Sequence, residues 1–294
     1  MLTFTGPLNF SLTLRRYHVY GEDAANAFDG RVFRKVFDTP GGLHLASIKA
    51  VDDRPSVSIF PASRRPAVKQ EAERIARKIL GLDFNLPAFY QMAGADPVLK
   101  LLIKKFHGLR PTLSPGLFEV LVTSITAQQI NLQFAFTVRS RLVRKYGTPL
   151  HCNGQTYFAF PTPEALARAR VSSLRKLQFT QRKAEYIVSL AREIADDELA
   201  LEDLQHRSEA EICERLTALR GIGRWTVDWF LARGLGRGSA FPAGDLGVAK
   251  AVRHFYFKDQ PQDEATLRAF AARWGDFQNL AVHYLLFGYY VDER

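Results

Sequence analysis

The chain has 294 residues, which is longer than most single domains, so we expect two domains. Its net charge of +10 and pI of about 9.7 indicate a polyanionic partner, although such a charge also serves solubility. The 2 cysteines are too few for a four-cysteine iron–sulfur cluster, and the sequence has no apolar run of about 18 residues that could span a membrane.

The same features set expectations about cofactors and compartment. The first residues lack a basic segment followed by an apolar core, so we expect no secretory signal. The 7 histidines are scattered, without zinc-ligand spacing to a cysteine, and the 2 cysteines suit a reducing compartment. We therefore expect a cytoplasmic protein, associated with the nucleoid if its source is prokaryotic, with no required cofactor and no membrane partner.

The first part of the chain has the patterns of strands followed by a helix. Apolar and polar residues alternate over residues 8–14, which predicts a half-buried strand. Three further strands, separated by turn-forming sequences, are predicted at residues 32–37, 43–51 and 56–60. A helix is then predicted to begin at Pro66 and to end at Gly81.

From Ser114 onward almost every pattern predicts a helix. Ser114 is expected to cap a helix that starts at Pro115, and Thr162 and Pro163 repeat this start signal. We therefore predict an α+β protein. Residues 1–110 would form an antiparallel sheet with helices, and residues 111–294 a mainly α-helical domain.

One connection in the helical part is unusually rich in glycine. An amphipathic helical pattern ends at Leu219, the first residue of segment 219–226 (LRGIGRWT). Gly221 and Gly223 interrupt the pattern, and apolar residues resume from Trp225. Glycine permits positive φ and leaves no Cβ to block a ligand, while a helix start presents unpaired N–H groups. Such a turn can hold a phosphate, but it can also be a tightly packed corner between two helices.

Asp245 stands where the next helical pattern begins. Aspartate in this position is a common N-cap residue. It is also a carboxylate near the glycine-rich turn, where it could stabilise a developing cation. The two roles are compatible with each other.

Four segments together resemble the helix-hairpin-helix superfamily of DNA glycosylases, and within it the 3-methyladenine DNA glycosylase II (AlkA-like) branch. They are residues 219–226, 241–250 (FPAGDLGVAK), 125–130 (ITAQQI) and 181–186 (QRKAEY). The resemblance covers roughly residues 110 to 290 and implies a helix-hairpin-helix glycosylase core. The activity it implies is hydrolysis of the N-glycosidic bond of alkylated purines in duplex DNA by base flipping, as the first step of base excision repair.

The resemblance also implies roles for individual residues. Asp245 corresponds to the catalytic aspartate, and Trp225, Trp229 and Phe277 correspond to aromatic residues of the base pocket. Relatives that also cut the DNA strand have a hairpin lysine, which forms a Schiff base with the sugar. Trp225 stands at that position here, so we expect a monofunctional enzyme.

Two further groups of residues are expected to contact DNA. The hairpin residues are Gly221, Ile222, Gly223, Arg224 and Thr226. The residue that enters the duplex would lie in the turn between two predicted helices, at residues 115–126 and 132–146. The resemblance places it at Gln129, where the branch often has an apolar residue, so neighbouring Ile130 is the alternative.

We expect the partner to be double-stranded DNA that contains damaged bases, and we expect a monomer. Three questions stay open at this stage. The same scaffold could remove deaminated or oxidised bases, or it could bind DNA damage without catalysis. Whether the hairpin holds a metal ion is also open.

Overall fold

A computed structural model describes residues 2–292, and the chain begins with two short helices, α1 (Phe10–Leu14) and α2 (Arg16–Val19). The predicted strand at residues 8–14 is therefore wrong. The Asn9 side chain accepts a hydrogen bond from the backbone N–H of Leu12 and so caps α1. Phe10 and Leu14, four residues apart, are both buried, which is the spacing of one helical face.

A four-stranded antiparallel sheet follows, with its strands in chain order. It comprises β1 (Ala27–Phe28), β2 (Val32–Thr39), β3 (Gly42–Val51) and β4 (Arg54–Phe60). The three predicted strands are confirmed, and the two-residue β1 was not predicted. Helix α3 (Pro66–Leu80) packs on this sheet and ends at Gly81, which has a φ of 59°, so both predicted ends are correct.

The rest of the described chain is mainly helical. The helices up to the glycine-rich turn are α4 (Leu86–Ala93), α5 (Pro97–Lys105), α6 (Leu117–Ala127), α7 (Leu132–Tyr146), α8 (Pro163–Ala167), α9 (Val171–Arg175), α10 (Gln181–Ala195) and α11 (Glu209–Thr217). After the turn come α12 (Arg224–Trp229), α13 (Leu246–Phe257), α14 (Glu264–Ala271) and α15 (Gln278–Asp292). Segments 201–206 and 272–277 are 3₁₀-helical, segment 230–235 is π-helical, and β5 (Pro149–Cys152) pairs with β6 (Gln155–Phe158). The predicted α+β class is confirmed.

The two predicted helix starts had different outcomes. Thr162 caps α8 at Pro163, as predicted. Helix α6 instead begins at Leu117 with Gly116 as its N-cap, so the predicted start at Ser114 and Pro115 is wrong. The N–H of Ser114 donates to the carbonyl of Arg233, and Gly116 is extended with a φ of −109° and a ψ of 127°, so the helix begins only after it.

The helical part contains two large hydrophobic clusters. The first uses residues between Leu117 and Ala240, and the second joins residues 84–113 to residues 241–285. The second cluster thus contains residues from both sides of residue 110, where we predicted the domain boundary. That boundary stays a prediction. Trp229 packs against both clusters and so marks their junction. Within residues 2–292, no helix is long and apolar enough to cross a membrane.

Candidate active site

The glycine-rich turn connects α11 to α12, and its two glycines have different structural roles. Gly221 has a φ of 90°, and a Cβ on it would collide with the ring of Tyr186. Gly223 is the N-cap of α12 in an ordinary extended conformation, and apart from Gly223 and its two chain neighbours no residue of the described chain has an atom within 4 Å of its Cβ position. Gly221 is therefore required by the fold, whereas Gly223 borders open space where a ligand could approach the backbone.

The other predicted hairpin residues differ in exposure. Ile222 is buried in the first cluster. Thr226 is also buried, and its hydroxyl accepts a hydrogen bond from Nε2 of Gln128 at 3.3 Å. Arg224 is exposed, and its Nε donates to Oδ1 of Asp228 at 2.8 Å. Ile222 and Thr226 thus anchor the hairpin, and a ligand could reach its backbone and the outer part of Arg224.

Asp245 is the N-cap of α13. Its Oδ1 accepts hydrogen bonds from the backbone N–H groups of Gly247 and Val248, at 2.9 and 3.0 Å. Its Oδ2 accepts hydrogen bonds from the indole Nε1 of Trp225 at 2.9 Å and of Trp229 at 3.2 Å. The structure therefore brings these three predicted site residues together around one carboxylate.

This carboxylate is half-buried and has unusual partners. The ion pairs found among residues 2–292 do not include Asp245. Its negative charge is held by four N–H donors from neutral groups, which fix its orientation without neutralising it. A cation that develops beside Oδ2 would meet a preorganised anion.

Trp229 carries a cation on one side. The guanidinium of Arg233 lies 5.3 Å from the centre of the indole ring, and Arg233 also donates to Oδ1 of Asn279 at 2.7 Å. Desolvation by burial, together with the charge of Arg16, lowers the pKa of Arg233 to about 9.

Phe277 lies in the second cluster, half-buried, with its ring 6.1 Å from that of Phe89. It shares this cluster with Trp229. The role of Phe277 in a base pocket stays a prediction.

The turn between α6 and α7 lies against the hairpin. Gln129 has a φ of 56° and is exposed, whereas Ile130 is half-buried. Nε2 of the preceding Gln128 donates to the carbonyl of Gly221 at 3.0 Å. Exposed Leu132 and Phe134 continue this surface into α7, and the sequence reasoning missed them, although exposed apolar residues beside a polar turn are a recognisable signal.

An ion pair between buried Asp228 and half-buried Arg268, which the sequence reasoning also missed, ties the hairpin to the segment that carries Asp245. Arg268 donates to Oδ2 of Asp228 on α12 at 2.9 Å and to the carbonyl of Phe241 at 3.1 Å. Asp228 is 2% exposed. A single aspartate in the apolar pattern after the hairpin was the available signal, but its partner lies 40 residues away in the sequence.

Comparison with known proteins defines the class. The model of the family described as "HhH-GPD superfamily base excision DNA repair protein" matches residues 122–276, more than half of the chain. This segment contains the turn after α6, the hairpin, both tryptophans and Asp245. The chain belongs to this superfamily, as the resemblance of its motifs predicted.

Individual relatives agree with this assignment. A DNA-3-methyladenine glycosylase of Bacillus subtilis is 32% identical over 82% of this chain and 80% of that protein. The structure of a 3-methyladenine DNA-glycosylase from Archaeoglobus fulgidus has a TM-score of 0.88 and 29% identity, with coverage of 98% of this chain and 97% of that one. The Schizosaccharomyces pombe 3-methyladenine DNA glycosylase Mag1, solved in complex with abasic DNA, has a TM-score of 0.57 and 26% identity, with coverage of 68% and 95%. The expected 3-methyladenine glycosylase branch is thereby confirmed.

Proposed function

We propose that this chain is a monofunctional DNA glycosylase that removes alkylated purines of the 3-methyladenine type from duplex DNA and so initiates base excision repair. The observation that carries the proposal is the Asp245 carboxylate, fixed by the indole N–H groups of Trp225 and Trp229 and left without a basic partner in the described chain. The printed names of the relatives, which are DNA-3-methyladenine glycosylases, support the substrate class.

The reaction follows from this geometry. Breaking an N-glycosidic bond builds oxocarbenium character on the sugar, as in the hydrolysis of glycosides. The fixed anion of Asp245 stabilises that positive charge, and water then adds to the sugar carbon and gives its proton to the Asp245 carboxylate. A base that alkylation has made cationic takes the bonding electrons and leaves as a neutral molecule, so it needs little help from a general acid.

The hairpin explains why the reaction would stop at an abasic site. Cleavage of the strand through a Schiff base needs an amine nucleophile at the sugar. The indole of Trp225 supplies no such amine, and its N–H donates a hydrogen bond to Oδ2 of Asp245. Lys250, on the following helix α13, is exposed to solvent.

DNA would be held by the hairpin and by the turn after α6. The open space at Gly223 admits a phosphate to the helix start, and the net charge of +10 favours a polyanion. Gln129 or Ile130 would enter the duplex when the damaged base is flipped out. We further propose a monomer that acts in the cytoplasm, at the nucleoid in a prokaryote, and that needs no cofactor for base release.

The test is release of free base from duplexes that each carry one lesion. The panel contains 3-methyladenine, 7-methylguanine, hypoxanthine and 8-oxoguanine, with and without a chelator. We expect release of the two methylated purines, an unbroken strand and no effect of the chelator. Release of only hypoxanthine or 8-oxoguanine would move the substrate class to deaminated or oxidised bases. Tight binding without any release would make the chain a damage-binding protein.

A further inference from the structure

Lys183, in the first turn of α10, is a buried lysine with unusual partners. Its Nζ donates to the carbonyl of Thr126 at 2.9 Å and to the carbonyl of Gln128 at 2.5 Å. The ion pairs found in the described part of the chain do not include it, and desolvation lowers the pKa of its ammonium. Burying an ammonium without a counter-ion costs free energy. Two hydrogen bonds to carbonyls do not explain, on grounds of stability alone, why the lysine is buried here.

Both carbonyls belong to the end of α6. The last carbonyls of a helix have no partner within the helix, and a cation near them is favourable. The carbonyl of Gln128 is part of the peptide group that joins it to Gln129. Lys183 therefore fixes the orientation of the peptide plane that leads directly into Gln129, whose φ is 56°.

The side chain of Gln128 holds the same turn from its other side. Its Nε2 donates to the carbonyl of Gly221 at 3.0 Å and to the hydroxyl of Thr226 at 3.3 Å. Helix α10 also contacts the hairpin directly, because the ring of Tyr186 lies against Gly221. Turn 127–131, the hairpin and the start of α10 thus form one interlocked unit.

We propose that Lys183 and Gln128 are positioning residues that hold turn 127–131 in a fixed place relative to the hairpin, so that a duplex bound at the hairpin meets the inserting residue at the right depth. This inference rests on the proposed function and adds to it the two residues that set the geometry of base flipping. Neither residue takes part in bond cleavage.

The variants for the test are Lys183→Met and Gln128→Leu, which introduce apolar side chains of similar size and remove the donors. Lys69→Met is the matched control, because Lys69 is exposed on α3 and its loss changes the net charge equally. Single-turnover excision of one methylated purine is measured from a well-paired duplex, a mismatched duplex and a single strand. In parallel, the fluorescence of 2-aminopurine next to the lesion reports extrusion of the base.

For the well-paired duplex we expect both variants to lose about tenfold in rate, as for the loss of one hydrogen bond to a charged or buried group. The base should be released from the single strand, which needs no extrusion, at the wild-type rate. The extrusion signal should fall in both variants. Lys183→Arg should recover part of the loss, and the double variant should lose less than the product of the two single losses, because both residues act on one turn.

Equal rates for wild type and variants on the well-paired duplex would overturn the proposal. So would equal losses on all three substrates, which would mean that the variants disturb the catalytic centre or the whole fold. If wild type releases no base from any substrate, the proposed function fails, and the 2-aminopurine signal alone then decides whether Lys183 and Gln128 control extrusion. An unchanged signal in that case overturns the inference as well.

Discussion

Two sites in this molecule hold buried or half-buried acidic groups, and they treat the negative charge in opposite ways. Glu119 on α6 accepts a hydrogen bond from Nζ of Lys35 at 2.8 Å and pairs with Arg139, which also pairs with Asp23. All four side chains are buried, and they connect β2 and the segment before β1 to helices α6 and α7. Asp245, in contrast, is held by neutral N–H donors and has no cationic partner in the described chain.

The difference shows what each charge can do. A buried anion paired with two cations is already neutralised. It contributes to the structure and cannot stabilise the positive charge of a ligand as well. At Glu119, desolvation would raise the pKa, but Lys35 and Arg139 outweigh it and lower the pKa. An oriented anion without a cation is available to a positive charge that exists only during a reaction.

The largest effect on catalysis is expected at the uncompensated site. Asp245→Asn should lower the single-turnover excision rate by about a hundredfold or more, because an amide cannot stabilise an oxocarbenium as an anion does. The fold should be retained, since asparagine is as good an N-cap as aspartate. Asp263→Asn is the control, because Asp263 caps α14 in the same way. A rate for Asp245→Asn within a few fold of wild type would end its assignment as the catalytic residue.

At the compensated site, substitution of Glu119 should lower the stability of the fold. Glu119→Gln leaves the cations of Lys35 and Arg139 without their shared anion, and we expect the free energy of unfolding to fall by about 3–5 kcal/mol. Urea denaturation measures this loss. The excision rate of the folded variant should equal that of wild type. A variant of unchanged stability would show that the four charges do not act as a unit.

Lowering the pH should reveal how much the compensated charge of Glu119 contributes to stability. The folded-state pKa of Glu119 lies below its ordinary value of 4.5, so its contribution to stability is present above that value and is lost as the pH falls through the folded-state pKa. We expect wild type to lose stability on acidification below 4.5 more steeply than Glu119→Gln. Thermal unfolding across this range measures both curves, and parallel curves would contradict the account.

The indole donors sharpen the description of Asp245. Trp225→Phe and Trp229→Phe keep an aromatic ring and remove one donor each, and we expect a loss of about tenfold in excision rate for each variant. Trp274→Phe is the matched control, because Trp274 is buried and its Nε1 has no hydrogen-bond partner in the described chain. Equal rates for all three variants would mean that the rings, and not the N–H groups, support catalysis.

The last expected effect is on DNA binding and concerns the hairpin. Gly223→Val fits the fold, because its Cβ position is open and its φ is not in the left-handed region. The added side chain should block the approach of phosphate and weaken DNA binding by about tenfold for every sequence, with a shallower salt dependence. Gly223→Ala should have a weaker effect. Unchanged affinity of folded Gly223→Val for abasic-analogue DNA would remove the hairpin from the DNA interface.

Sequence patterns predicted those parts of the fold that local chemistry determines. The helix from Pro66 to Gly81 and the strands between turn-forming residues were correct, because their ends are set by proline, glycine and their immediate neighbours. Residues 8–14 were wrong because an alternating pattern over seven positions also permits a helix, and the cap by Asn9 and burial of Phe10 and Leu14 decide between them.

The candidate site divides in the same way. Asp245 and the two tryptophans could be nominated from motifs, but the hydrogen bonds between them depend on how α12 meets α13 in three dimensions. The Glu119 group joins residues up to 116 positions apart, so no local pattern identifies its partners. The one signal in the sequence is a glutamate within the apolar run of α6.

The central claim is that Asp245 stabilises a positive charge on the sugar. Its most direct test is the affinity for two abasic-analogue duplexes that differ only in the sugar mimic, a protonated pyrrolidine and a neutral tetrahydrofuran. We predict that wild type binds the pyrrolidine duplex much more tightly than the neutral one, and that Asp245→Asn loses this preference while still binding the neutral duplex like wild type. An equal preference in wild type and Asp245→Asn would contradict the account.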